Sequence, residues 1–185
     1  MIVLLTSTFT SAFSQLKFEK ESRLKRSDIP PPAFELIESL AIPGKIKWYS
    51  EENLTGNSVE AKFRFNKKNY SIEFDTKGNL QDVEITIEIT EIQEGVKEII
   101  FKKLESEFNK YSIQKIQAHY PGNNPEILSV IRNPQNEFIN TVQYEMIVNG
   151  KTGNISKQYE MVFDNNGILT KKKEIIQKNA DNLEF

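Results

Sequence analysis

The sequence predicts an α+β fold, a tandem repeat of a helix plus an antiparallel β-meander, with the helices packed on one face of a curved sheet. Three patterns lead to this prediction. Several segments alternate apolar and polar residues, one segment has apolar residues at three- and four-residue spacing, and a hairpin pattern, F-D-x-x-G-x-L, occurs twice. With 185 residues, of which 38% are hydrophobic and 27% charged, the chain is long enough to bury a core as a soluble globular protein.

The composition along the chain predicts four segments. Residues 1–14 carry no charge, begin with an apolar run and end in Ala12-Phe13-Ser14, which is the layout of a secretory signal peptide. The n-region lacks Lys and Arg, so translation starting upstream and a buried N-terminal strand or helix remain alternatives. Residues 15–28 are predicted as an exposed lead-in. A single domain of two similar halves then covers residues 29–177, divided at about 90, and residues 178–185 form a C-terminal tail.

The first half contains a short helix and several strands. Proline at positions 30–32 suits the first turn of a helix, which Pro43-Gly44 ends. A strand is predicted around residues 46–50. Alternating apolar residues then predict a three-stranded meander over residues 59–65, 70–74 and 83–89.

The second half begins with the longest predicted element, an amphipathic helix. Its apolar stripe extends from Ile92 to Phe108, and residues 90–93 resemble a capping box. Strands follow at residues 116–120, 138–148 and 155–163, and a last strand extends through Ile175. The turn region Asn149-Gly150 is predicted to join two of these strands, and residues 121–135 are predicted to form a loop.

The repeated hairpin has a structural explanation. Tyr70 to Leu80 align with Tyr159 to Leu169 at an offset of 89 residues, with Tyr, Phe, Asp, Gly and Leu shared. An aspartate at a strand end accepts hydrogen bonds from the following amides, and glycine three residues later permits positive φ. Calcium is the alternative, but each loop offers too few oxygen ligands. The predicted structural hairpin residues are Phe74, Asp75, Gly78, Leu80, Phe163, Asp164, Gly167 and Leu169.

A helix and strands ending in Y-x-x-x-F-D-x-x-G-x-L, repeated after an export signal, resemble the PepSY-like proteins, whose fold is similar to that of the β-lactamase inhibitor protein. The resemblance covers roughly residues 29–176. It implies tandem units that pack a helix on a curved antiparallel sheet, in a periplasmic or extracellular protein without enzymatic activity. The loop at residues 121–135 and the hairpin around Asn149 depart from the pattern, so no residue beyond the hairpin is carried over.

The sequence offers no catalytic constellation, so we predict that the protein is not an enzyme and uses no cofactor or metal. The absence of cysteine excludes disulfides, thiol catalysis and zinc-thiolate sites. His119 is the single histidine, and no serine or carboxylate motif stands near it in the sequence. We therefore expect an exposed or hydrogen-bonded surface histidine. A hydrolase, which would depend on His119, is the least favoured hypothesis.

A binding role is the preferred hypothesis. The formal net charge of −2 argues against nucleic acid as a partner, and no stable membrane insertion is expected after signal cleavage. We predict an exported binding module that holds a protein or peptide partner on the sheet face. One form of this hypothesis is that the protein acts as an inhibitor of its partner. A periplasmic carrier with an apolar pocket between sheet and helices is the alternative. Aromatic residues commonly dominate binding energy, so the predicted partner-binding residues are Trp48, Tyr49, Tyr144 and Tyr159.

Overall fold

The structure, a computed structural model, describes residues 15–17, 19–53, 56–122, 128, 131 and 143–175. These residues form the helices α1 (Pro31–Ser39) and α2 (Glu94–Glu107), and short 3₁₀ helices at Arg26–Asp28 and Ile89–Glu91. The strands are β1 (Gln15–Lys17), β2 (Glu19–Arg23), β3 (Lys47–Asn53), β4 (Gly56–Phe65), β5 (Lys68–Asp75), β6 (Leu80–Thr86), β7 (Lys110–Pro121), β8 (Gln143–Thr152), β9 (Ile155–Phe163) and β10 (Leu169–Ile175).

All ten strands belong to one sheet, in the order β1-β10-β9-β8-β7-β6-β5-β4-β3-β2. Strands β2 to β10 pair antiparallel with their neighbours, whereas β1 pairs with β10 in parallel. The segment predicted as an exposed lead-in therefore supplies both edge strands. Residues 20–23 of β2 are exposed.

The two edges of the sheet come close together. β1 and β2 lie at opposite edges, yet only position 18 separates them in the chain. Because consecutive Cα atoms are 3.8 Å apart, the Cα atoms of Lys17 and Glu19 are at most about 7.6 Å apart. The ten-stranded sheet must therefore be strongly curved.

Two apolar cores lie on the same side of this sheet. In the first core, Ala33 and Ile37 of α1 pack with Trp48, Ile72 and other buried residues of β3 to β6. In the second, Val96, Ile100 and Leu104 of α2 pack with buried residues of β7 to β9. The cross-strand partners Ile85 and Ala118 connect the two cores, because residues directly opposite each other project from the same face.

The predicted fold class is wrong. The prediction is a tandem repeat of a helix plus a meander, with the helices packed on one face of a curved sheet. Instead, β6 pairs with β7 and joins all ten described strands into a single, almost entirely antiparallel sheet, accompanied by the short α-helices α1 and α2. The alternation within each strand was read correctly, but the pairing between the halves depends on contacts that periodicity does not encode.

The turn predicted at Asn149-Gly150 is also wrong. Both residues lie inside β8, and the chain reverses between Thr152 and Ile155, where Gly153 has a φ of 60°. Gly150 is needed for packing: a Cβ added there would lie 2.3 Å from the ring of Phe108. The predicted capping box is shifted too, because Glu91 accepts a 2.8 Å hydrogen bond from the amide of Glu88.

The two repeated hairpins have matching hydrogen bonds. In the first, Asp75 Oδ1 accepts hydrogen bonds from the amides of residues 77 and 79, both at 2.8 Å. In the second, Asp164 Oδ1 accepts from the amides of residues 166 and 168, both at 2.9 Å. Gly78 and Gly167 have φ values of 89° and 79°. Each turn thus has the carboxylate and the positive φ that its sequence pattern calls for.

Each hairpin glycine also lies against the start of a helix. A Cβ on Gly78 would lie 2.9 Å from the backbone nitrogen of Ala33 in α1, and one on Gly167 would lie 2.8 Å from the carbonyl oxygen of Val96 in α2. Such distances leave no room for a side chain. Glycine is therefore needed at both positions for two reasons: the positive φ of the turn, and the close contact between the turn and its helix.

Candidate functional site

The side of the sheet opposite the two cores is lined by polar side chains. We call it the polar face. One row across it joins five adjacent strands, because the pairs Lys47–Lys62, Lys62–Ser71, Ser71–Glu84 and Glu84–His119 are in register. Both α-helices direct their buried side chains to the cores on the other side.

A depression of about 490 Å³ occupies the polar face between β3 and β7. We call it the central depression. Its lining includes five cationic side chains and two carboxylates: Lys45, Lys47, Lys62, Arg64, Lys115, Glu60 and Glu84. Because strands lie about 4.8 Å apart, five neighbouring strands span about 19 Å. The depression therefore extends over a width that fits a short peptide segment.

Lys62 lies at the centre of a charged network. Its Nζ is 2.7 Å from Glu21 and 2.8 Å from Glu60, and Glu60 also accepts a hydrogen bond from the Ser71 hydroxyl. Burial disfavours the ammonium, but the hydrogen bonds to Glu21 and Glu60 outweigh this effect and raise the pKa of Lys62. The pairing keeps Glu60, which is only 7% exposed, from being an isolated buried charge.

The same network explains a group of carboxylates that resembles a metal site. Oxygens of Glu21, Glu51 and Glu60 lie within 4.8 Å of one another. The Lys62 ammonium bonds to two of the three carboxylates and already supplies a positive charge. We therefore assign no metal to this group.

Tyr49 lies on the polar face between two cations. The Arg23 guanidinium is 5.2 Å from the centre of the ring and donates a 3.2 Å hydrogen bond to the phenol oxygen. The Lys62 ammonium is 5.4 Å from the ring centre. Both distances are within the range of cation–π attraction. The half-buried ring is therefore held in place at the border of the central depression.

Four cations of the central depression are exposed: Lys45, Lys47, Arg64 and Lys115. Within the described residues, none of the four has a carboxylate in ion-pair distance. Lys47 also lies directly opposite Lys62, and like charges in this position destabilise a sheet. The arrangement concentrates positive charge in a chain whose formal net charge is −2.

Carboxylates cluster beside this cationic region. Glu73 lies directly opposite Asp82 on β5 and β6. Burial, followed by the charge of Asp82, raises the pKa of Glu73 to about 8. His119 Nε2 lies 3.5 Å from Asp82. Burial opposes protonation of this imidazole, but Asp82, Glu84 and Glu145 outweigh it and raise its pKa to about 9. The polar face thus has a cationic part and an acidic part that holds a charged histidine.

The ring of His119 lies between an amide and a carboxylate. Its ring nitrogens lie near the Gln143 side chain, at 3.3 Å, and the Asp82 carboxylate. In the described part of the chain, no serine or threonine hydroxyl is hydrogen-bonded to this ring, so the geometry offers no activated nucleophile.

The four predicted partner-binding residues lie in different places. Trp48 is 7% exposed and packs between Phe34 and Phe74 in the first core. Tyr144 and Tyr159 are half-buried against the second core. Only Tyr49 of these residues lines the central depression. The opposite orientation of Trp48 and Tyr49 agrees with their adjacent positions in one strand.

Sequence reasoning did not identify the cationic cluster, although part of its signal was visible. Lys45 and Lys47 alternate with apolar residues before and within β3, and Lys62 and Arg64 do so in β4. Their convergence depends on the pairing of β3 with β4 and on the position of β7. The predicted loop at residues 121–135 lies mostly outside the described residues.

A second depression, of about 430 Å³, lies where α2 and β7 meet. Apolar side chains line it together with polar ones, and Phe101, Tyr111, Ile113 and Ile116 are among the apolar members. It lies between a helix and the sheet, which is where the pocket of a small-ligand carrier is expected. Neither α-helix described here combines the length and hydrophobicity needed to cross a membrane.

Comparisons with known proteins identify the fold. No protein-family model and no curated protein matches the chain. Solved structures do match: a DUF2874 family protein from Bacteroides ovatus has a TM-score of 0.57 at 12% identity, covering 85% of this chain and 95% of its own. A BLIP-like protein from Bacteroides fragilis has a TM-score of 0.51 at 18% identity, with coverages of 85% and 93%.

A third solved structure is that of a proposed periplasmic protein from Bacteroides eggerthii, with a TM-score of 0.53 at 13% identity, covering 78% of this chain and 88% of its own. The identities are low, so these similarities establish the fold alone. The resemblance to the PepSY-like proteins stays a prediction. On this evidence the chain has a BLIP-like fold, that of the β-lactamase inhibitor protein.

Proposed function

We propose that this chain is an exported, non-enzymatic binding module that holds a protein or peptide partner on the polar face. The observation that carries the proposal is the central depression, which extends across five strands and is bordered by the fixed ring of Tyr49. Rigid aromatic side chains beside cations are common anchors of protein interfaces. The fold likeness to a BLIP-like protein supports a role of inhibitor type, and the likeness to a proposed periplasmic protein supports export.

Site-specific crosslinking tests this proposal. Because the chain contains no cysteine, one introduced cysteine carries a photo-crosslinker at a single known position. Asn69→Cys places it in the central depression, whereas Ser106→Cys places it on the exposed surface of α2. We expect a discrete protein adduct from envelope extract at position 69 and none at position 106.

A second variant tests whether formation of the adduct depends on the ring of Tyr49. Tyr49→Ala in the Asn69→Cys background should reduce the adduct strongly, since it removes the ring at the border of the depression. Ile155→Ala changes a side chain that is 63% exposed at the start of β9, distant in sequence from the depression, and should leave the adduct unchanged. Equal labelling from positions 69 and 106, or an adduct insensitive to Tyr49, would count against the polar face as the binding surface.

A further inference from the structure

We infer that the central depression recognises an acidic segment of its protein partner, one that presents at least two carboxylates in an extended stretch. The inference rests on the proposed function, because it specifies the chemistry of a partner bound to the polar face. It depends on the positions and pairing of the cations rather than on the overall charge of the chain, which is −2.

The first argument is the number of unpaired cations. Lys45, Lys47, Arg64 and Lys115 are exposed and line one depression, and the described residues supply no carboxylate ion-pair partner for any of them. By contrast, Lys68, Lys97, Lys103, Lys157 and Lys172 are each within ion-pair distance of a glutamate. Other lysines, such as Lys102 and Lys151, also lack a carboxylate in ion-pair distance among the described residues, so what distinguishes these four cations is that they line one depression.

The second argument is the repulsion between neighbouring cations. Lys47 and Lys62 face each other directly across β3 and β4. Glu21 and Glu60 offset much of the charge of Lys62, whereas Lys47 has no carboxylate in ion-pair distance among the described residues. A carboxylate bound beside Lys47 would lessen the remaining repulsion between the two cations, so this pair favours an acidic ligand.

The third argument concerns the kind of anion. Glu60 and Glu84 also line the depression, and Asn69, Ser71 and Gln117 add neutral polar groups. A surface for a dense polyanion would gain from having no carboxylates of its own. Alternating cations, carboxylates and amides fit a peptide, whose backbone and side chains offer both donors and acceptors. A depression about 19 Å wide accommodates about six extended residues.

Fluorescence anisotropy tests the inference with a defined probe. A fluorescein-labelled octapeptide of alternating glutamate and glycine is titrated with the purified chain, beside a matched peptide of glutamine and glycine. We expect saturable binding of the acidic peptide, weakening as salt is added, and binding of the neutral peptide at least about tenfold weaker.

Charge variants locate the binding. Lys47→Gln combined with Arg64→Gln removes two cations of the depression, and we expect affinity for the acidic peptide to fall about tenfold or more. Lys102→Gln combined with Lys151→Gln removes the same charge from exposed positions on α2 and at the end of β8, and should leave affinity within about twofold. An equal loss in both double variants would overturn the inference, because the attraction would then be nonspecific.

Two further outcomes are informative. If inorganic polyphosphate displaces the acidic peptide while glutamate peptides fail to compete at equal charge, the surface recognises dense polyanions and the inference is wrong. If crosslinking at position 69 yields a partner but the acidic peptide binds no better than the neutral one, the proposed function stands and the acidic chemistry alone is overturned. An absence of any adduct at position 69 would instead reject the proposed function.

Discussion

The imidazole of His119 and the carboxylate of Asp82 lie 3.5 Å apart on the neighbouring strands β7 and β6. The second ring nitrogen lies 3.3 Å from the Gln143 side-chain oxygen. His119 is thus held between a carboxylate and an amide on the polar face, in an environment that differs from that of a solvent-exposed histidine. Two predictions on pH dependence follow, one for His119 and one for Glu73, which also faces Asp82.

The first prediction concerns the protonation of His119. Its pKa rises from 6.5 to about 9 in the folded protein. Protonation therefore stabilises the fold fully below pH 6.5, and this contribution is lost as the pH rises through 9. We expect the free energy of unfolding to fall by up to about 3 kcal/mol across this range from this group. Urea denaturation at a series of pH values measures the change.

His119→Gln supplies the control. Glutamine keeps a hydrogen-bond donor near Asp82 but does not titrate, so the decline in stability between pH 6.5 and 9 should become shallower. Because His119 is the single histidine, its ring protons also give one NMR titration curve without ambiguity. A midpoint at or below 6.5 would contradict the assigned ion pair.

Glu73 is predicted to act in the same direction. Burial, followed by the charge of Asp82, raises its pKa from 4.5 to about 8. Its protonated form stabilises the fold fully below pH 4.5, and that contribution is lost as the pH rises through 8. Glu73→Gln should therefore be more stable than the parent protein above pH 8, where the parent carries two adjacent carboxylates. Thermal unfolding at pH 5 and pH 9 tests this, and a variant that loses stability at the higher pH would refute it.

The hairpin glycines Gly78 and Gly167 are predicted to be among the least replaceable residues. Alanine at either position would combine a left-handed backbone with a Cβ closer than 3.0 Å to helix backbone atoms. We expect each variant to lose roughly 2–4 kcal/mol of stability, measured by chemical denaturation.

Gly122 separates the two causes of this loss. Its φ of 94° is similar, but a Cβ there would meet nothing within 4 Å. Gly122→Ala should therefore cost only about 1 kcal/mol, the strain of the left-handed backbone alone. Equal losses at positions 78, 122 and 167 would show that docking of the turn on its helix contributes nothing.

Gly150 tests the packing of Phe108. Alanine at position 150 would place its Cβ 2.3 Å from that ring, so we expect a loss of about 3 kcal/mol in chemical denaturation. Phe108→Leu in the same chain should recover part of it. As a control, Gly95→Ala in the first turn of α2 meets nothing and should stay within about 1 kcal/mol of the parent. Failure of Phe108→Leu to restore any stability would point to a different cause.

Local patterns in the sequence located several individual strands, the helix α2 and the two repeated turns, although the fold class was wrong. Alternation placed Val59, Ala61 and Phe63 on one side of β4, where all three are buried, and the apolar stripe located α2. The repeated Asp and Gly predicted two turns that have the same hydrogen bonds. These signals depend on residues close together in the chain, where the period of side-chain direction is fixed by the backbone.

The sequence analysis did not predict the features that depend on contacts between residues far apart in the chain. The pairing of β6 with β7, which joins the strands of the two halves in one sheet, cannot be read from the alternation within either strand. Asp82 and Glu145 approach His119 only through strand register, so its charged surroundings were not expected. Gly150 looked like a turn residue because the approach of Phe108 from the end of α2 leaves no local trace in the sequence.

The segment from β1 to β2 has a further consequence for solubility. Unpaired strand edges are templates for aggregation, and a ten-stranded open sheet ordinarily exposes two of them. Here β1 covers β10 and β2 covers β3, and residues 20–23 present mostly charged side chains to solvent. One proteolytic cut after this segment would uncover both strands at once. The short N-terminal stretch therefore protects the whole sheet against self-association.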